Sequence, residues 1–218
     1  MINIHLLIVV SILYFSSCNT KNDNDDIEID IRTKFSYPIN EAESIYELKD
    51  TFDAIRVEKL KESRESNQYD VFFNFFPNNF KEFKVYYGYD DYSGEGPLYS
   101  QYQNHITYFF EIEKKVGSDR FIGKLFGISI DGKWDADAIE FFQEKLSGVL
   151  VSEPDIFLKN INKMPDSIAR GFWHFVFDGS TNNDLQNKDR FDRIYNVVSK
   201  LDKRQAALLK LEFESMYN

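Results

Sequence analysis

Residues 135–177 read DADAIEFFQEKLSGVLVSEPDIFLKNINKMPDSIARGFWHFVF, and three apolar stripes at helical spacing run through them. Ile139, Phe142, Leu146 and Val149/Leu150 recur every three or four residues, so they share one face of a helix over about 136–150. Ser152 and Asp155 flank Pro154 and form a helix-start signal: a hydroxyl to accept a first-turn amide, and a proline whose fixed φ suits that turn. Phe157, Leu158 and Ile161 continue inward. Pro165-Asp166 opens a third helix with Ile168, Phe172, Trp173 and Val176, and Asp178-Gly179 ends it. Connections this short force antiparallel neighbours. The segment therefore predicts an all-α fold: an irregular antiparallel helical array, an α-solenoid-like bundle of about eight helices. No fixed-period motif marks a repeat family.

The same spacing extends outward on both sides. Ser118 or Asp119 is placed to cap a helix with Ile122, Leu125, Phe126 and Ile128 inward; Asp131-Gly132 stops it and Asp135 restarts the next. Tyr99, Tyr102, Ile106, Phe109 and Phe110 mark another helix, after a polar, Gly-containing loop at 90–97. Residues 69–89, YDVFFNFFPNNFKEFKVYYGY, are dense in aromatics. Pro77 divides them, and Asn78 or Asn79 can cap the second of two short helices, which ends at Gly88. A strand over 71–76 would lack a period-2 partner. Farther upstream Asn40 and Glu43 read as a capping box, and Ile45, Leu48, Phe52, Ile55 and Leu60 form the stripe of a helix to about Ser63. Beyond a polar loop at 180–187, two helices close the chain at about 188–201 and 203–217.

A chain of 218 residues with 43% hydrophobic and 17% aromatic side chains can bury one good core, which makes residues 39–218 a single domain. Asp and Glu number 36 against 26 Lys and Arg, a net charge of -10, and none of these residues lies in 1–17. Binding to nucleic acid depends on clustered cations that release phosphate counterions, so nucleic acid is not an expected partner. A negative field suits a basic protein partner. One cysteine excludes an internal disulfide and a Cys-rich zinc site.

Leu6 to Phe15 (LLIVVSILYF) is an uncharged apolar run, about half the roughly 20 residues a transmembrane helix needs, and Ser16 and Ser17 follow it. Length and flanks fit a signal peptide over residues 1–17. Phe15-Ser16-Ser17-Cys18 resembles the lipobox of bacterial lipoproteins, with Phe15 where Leu is commoner. That resemblance implies cleavage before Cys18, lipid on its sulfur, and a place in the cell envelope as an outer-membrane lipoprotein, periplasmic or surface-exposed. Two or three acyl chains anchor stably where one binds marginally. Asp23, Asp25 and Asp26 resemble the acidic export signal of Bacteroidetes surface lipoproteins. Residues 18–38 show no apolar periodicity and read as a tether whose ends would stand about 25 Å apart as flexible chain. Phe76-Pro77, Tyr87-Gly88-Tyr89, the run Gly132 to Ala138 and Phe177-Asp178-Gly179 together resemble an uncharacterised Bacteroidetes family of helical lipoproteins, a resemblance that implies no activity.

Asp131-Gly132-Lys133-Trp134-Asp135-Ala136-Asp137 holds three carboxylates in seven residues but fails the spacing of an EF-hand loop. The plainer reading is a helix stop, an anchoring Trp134, and Asp135 or Asp137 beside a helix N-terminus, where an acid contributes about 0.3–1 kcal/mol. His105 and His174 both lie in aromatic-rich helices, and His174 is one turn before Asp178, within reach of a shared hydrogen bond. No Gly-x-Ser-x-Gly, His-Glu-x-x-His or phosphate-cradling glycine motif occurs, so no cofactor or metal is expected. Tyrosines on a polar loop suit recognition of another surface, since a rigid ring and a hydroxyl both contribute.

Two functional readings follow. The first is a lipid-anchored, non-catalytic interaction or inhibitor/immunity-like module, whose binding residues would be Tyr87, Tyr89, Tyr92, Tyr99, Tyr102, Trp134, Asp135, Asp137, Trp173 and His174. The second is an enzyme or small-ligand binder, in which Trp134, Trp173, His105 and His174 would converge on an aromatic pocket. A periplasmic substrate-binding protein is a poor third reading, since it needs two α/β lobes and the chain lacks the alternating strand pattern.

Overall fold

The computed structural model describes residues 42–92, 94–179 and 184–217, with side chains from Asp53 onward except that of Asp184. The signal peptide, Cys18, the tether, the Asn40/Glu43 cap and the side chains of Ile45, Leu48 and Phe52 lie outside the described residues.

Eleven α-helices make up most of the described chain: α1 (Ala42–Glu65), α2 (Tyr69–Phe75), α3 (Phe80–Tyr87), α4 (Tyr102–Glu111), α5 (Glu113–Val116), α6 (Ser118–Ser129), α7 (Ala138–Ser152), α8 (Pro154–Ile161), α9 (Asp166–Phe177), α10 (Asp184–Leu201) and α11 (Lys203–Tyr217). The fold is all-α. A single two-stranded hairpin, β1 (Tyr89–Asp90) against β2 (Gly94–Glu95), stands where a plain loop was expected, and a 3₁₀ turn at Tyr99–Gln101 leads into α4. The helix count exceeds the expected eight because the chain breaks often. Pro77 leaves α2 and α3 as short pieces, as expected, whereas Ile112, with φ -86° and ψ 2°, cuts the unforeseen single turn α5 from α4.

The core is rich in aromatic rings. Phe76 stacks on Phe109 with centroids 4.3 Å apart, and Phe109 meets Phe121 at 4.9 Å. Phe126 meets Phe172 edge-on at 4.8 Å, and Phe191 stacks on Phe213 at 4.2 Å. Such contacts add about 0.5–1.5 kcal/mol each beyond the area they bury. α11 packs chiefly on α9 and α10, and α1 on α2.

Four expectations at helix ends and faces require correction. Ile55 is 46% exposed, because the stripe of α1 that faces inward is Arg56, Leu60 and Ser63. Arg56 turns in to donate from Nε to Phe75 O (2.7 Å), an acceptor at the end of α2, and from Nη2 to Glu82 (2.7 Å). Ser118 does not cap α6: Gly117, at φ 91°, holds the cap position and the Ser118 hydroxyl donates to Glu113 (3.2 Å). Ser152 is the last residue of α7, and α8 begins after Glu153 without a side-chain cap. Asp135 does not restart the helix; α7 starts at Ala138, after Asp137 in the left-handed region at φ 60°.

Candidate functional site

Of the tyrosines and aspartates singled out above, Tyr89, Tyr99, Tyr102, Asp135 and Asp137 lie together. At the end of α3 the chain turns through Gly88, forms the hairpin, and returns across the open end of α3, where Gly96 N donates to Gly88 O and Leu98 N to Tyr86 O, both at 2.9 Å. The approach is close: a Cβ on Gly96 would stand 2.6 Å from Val85 O, so only glycine fits. The return sets Tyr99 beside Tyr89 (6.4 Å) and Tyr102 (6.0 Å), while Tyr102 packs edge-on against Phe141 of α7 (5.8 Å).

The second aspartate segment closes this face. The Tyr99 hydroxyl donates to Asp137, which explains why that carboxylate caps no helix amide. Asp135 accepts a salt bridge from Lys84 of α3 (3.1 Å). The hydrogen bond to Asp137, and then partial burial, push the Tyr99 phenol up to about 12, since ionisation would set two anions together. Tyr89 is 49% and Tyr92 100% exposed, and Val85 is 53% exposed. Between α3 and the hairpin lies a groove of about 580 Å³ lined by Phe80, Lys81, Val85, Tyr89, Glu95 and Pro97.

The remaining residues lie elsewhere. Tyr87 is fully buried and shares a 3.0 Å hydrogen bond with His105 Nδ1. Burial, then the charges of Arg64 and Lys61, lower the His105 imidazole to about 4, so it is neutral at pH 7. Trp173 is fully buried and donates from Nε1 to Gln205 Oε1 (2.9 Å). The Trp134 amide, rather than His174, is held by Asp178 (2.7 Å). His174 Nε2 stands 4.0 Å from Asp178, beyond a hydrogen bond, and its Nδ1 meets Glu212 instead (3.1 Å). His105, Trp134, Trp173 and His174 therefore do not line one pocket.

The chain matches no protein-family model, no curated protein and no solved structure.

A second concavity, of about 420 Å³, is lined by Lys133, Ser167, Arg170, His174 and Glu212, together with Asp131 and two glycines. Glu212 is its centre: one carboxylate oxygen accepts from Arg170 Nε (2.9 Å), the other meets His174. Sequence reasoning found His174 but missed Arg170 and Glu212. The available signal was two polar side chains one turn apart on α9, in an otherwise apolar stretch from Ile168 to Phe177; Glu212, 42 residues from Arg170, gave none. Among the described residues no three His, Cys, Asp or Glu side chains are grouped to hold a metal ion, and no described helix is long and apolar enough to cross a membrane.

Proposed function

We propose that the chain is a lipid-anchored envelope protein that acts as a non-catalytic interaction module, presenting the face of Tyr89, Tyr92, Tyr99 and Tyr102 to a basic protein partner. The observation that carries this reading is Tyr92, fully exposed at the tip of a hairpin whose root is fastened by Tyr99 to Asp137. A large ring held in water on a fixed mount is a contact residue without a contact, and rings of this kind dominate binding energy at protein interfaces. Acidic side chains surround it: Asp91 and Glu95 are exposed on the same hairpin, in a chain of net charge -10. Tyrosine faces flanked by carboxylates suit Lys and Arg, through cation–π contact and charge attraction together.

The anchor rests on Phe15-Ser16-Ser17-Cys18 and on the polar stretch that follows it. Cys18→Ser is expected to abolish acyl labelling and to leave the precursor uncleaved or mislocalised; persistent acylation would remove the anchor from the account. For the module, the experiment is capture from envelope extract with residues 19–218, the mature chain without its lipidated cysteine, and washes of rising salt. A stoichiometric basic partner released as salt rises supports the reading, and recovery of no stoichiometric partner defeats it. The described residues do not favour the four-residue aromatic pocket of the alternative, because His105 and Trp173 are buried in the core while His174 lines a concavity that neither of them nor Trp134 lines.

A further inference from the structure

We propose that the concavity between α9, α11 and the 131–133 turn binds the oxyanion of a small molecule, a carboxylate or a phosphate group. Its acid is already committed. Glu212 has a side chain 10% exposed and is held on both oxygens, by Arg170 Nε at 2.9 Å and by His174 Nδ1 at 3.1 Å. Holding Nε in this way fixes the plane of the guanidinium and leaves its terminal edge, Nη1 and Nη2, with no partner among the described residues. That edge is the fork that meets the two oxygens of a carboxylate or phosphate.

Two further donors share the concavity. Ser167 lies three residues before Arg170 on α9, hence on the same face, and Lys133 reaches in from the turn after α6; neither has a hydrogen-bond or ion-pair partner among the described residues. The turn is held in place on its own account. Asp131 adopts φ 63°, and a Cβ on Gly132 would stand 2.5 Å from the Phe175 ring, so the backbone is pressed onto the core and Lys133 is fixed at the rim. Residues that carry a guanidinium, an ammonium and a hydroxyl thus line one space of about 420 Å³, within the usual 300–1,000 Å³ range of small-ligand sites. In a chain of net charge -10 the place is exceptional, for its one buried carboxylate is neutralised from within.

The test is a titration of the mature chain with inorganic phosphate and, separately, with acetate, followed by amide chemical shifts and matched for ionic strength with NaCl. Saturable shifts at Gly132, Lys133 and Gly171 are expected. Lys133→Gln changes an exposed, unpartnered side chain and should leave folding unaffected, yet weaken binding about tenfold; Arg170→Lys keeps the charge but loses the fork and should weaken it at least as much. Tyr92→Ser should bind as well as the parent, which separates this site from the tyrosine face. Preference for phosphate or acetate names the oxyanion. Shifts that do not saturate, that NaCl reproduces, or that Lys133→Gln leaves unchanged would overturn the proposal.

Discussion

The hydroxyl of Tyr99 donates to the carboxylate of Asp137, 38 residues along the chain, and so ties the hairpin that follows α3 to the start of α7. An acid expected to cap a helix instead fixes the mount of the exposed tyrosines. The Tyr99 phenol, held at about 12, should ionise later than an unperturbed tyrosine. Asp137→Asn should bring it down toward the ordinary value, as read by ultraviolet difference absorbance in alkali against a Tyr99→Phe reference, and should speed amide exchange in residues 89–98. An unchanged phenol titration in Asp137→Asn would show that the bond does not form.

His105 predicts an acid sensitivity of known sign. Its imidazole takes a proton near pH 4 in the fold but near 6.5 when unfolded, so between these values the unfolded chain binds the extra proton. Stability should therefore rise as pH increases through this window and be lost on acidification, by about 3 kcal/mol for the whole shift. Urea unfolding at pH 4, 5 and 7 should show the loss in the parent and a much shallower one in His105→Asn. Equal slopes would remove His105 as the cause.

Lys124 acts at the other end of the pH range. Its ammonium donates to Phe73 O and, at 2.7 Å, to Phe76 O, where α2 runs out of partners for its carbonyls. Burial pulls the group down to about 7, so between pH 7 and 10.5 the unfolded chain holds a proton the folded one releases, and stability should rise with pH across that window. Lys124→Met should abolish this rise and, with two carbonyls left unpaired, cost about 1–3 kcal/mol at pH 9. Unfolding curves at pH 7 and 9 in both proteins decide it.

Helical periodicity carried most of the architecture. Ile139, Phe142, Leu146 and Leu150 are all buried, and Asn79 caps α3 by accepting from Glu82 N at 2.9 Å, both readable from spacing and residue type alone. What escaped was set by partners distant in sequence. Arg56 is drawn inward by the end of α2 and by Glu82, 26 residues on, and it takes the place of Ile55 on the buried stripe of α1, which keeps Leu60. Asp137 lost its capping role to Tyr99, and Asp178 lost His174 to the Trp134 amide. Tyr89, Tyr99, Tyr102, Asp135 and Asp137 do lie together, whereas Tyr87 and Trp173 belong to the core. An aromatic-rich helix does not reveal which ring its neighbours will cover.

If the exposed hairpin tyrosines make the contact, envelope capture by Tyr89→Ser/Tyr92→Ser must differ from capture by the parent. Leu185→Ser serves as the control, since Leu185 is an exposed apolar side chain, 86% accessible, on a different element. The account predicts that the double variant stays folded and loses the salt-sensitive basic partner, while Leu185→Ser retains it. Equal recovery of that partner by the parent and the double variant would contradict the account.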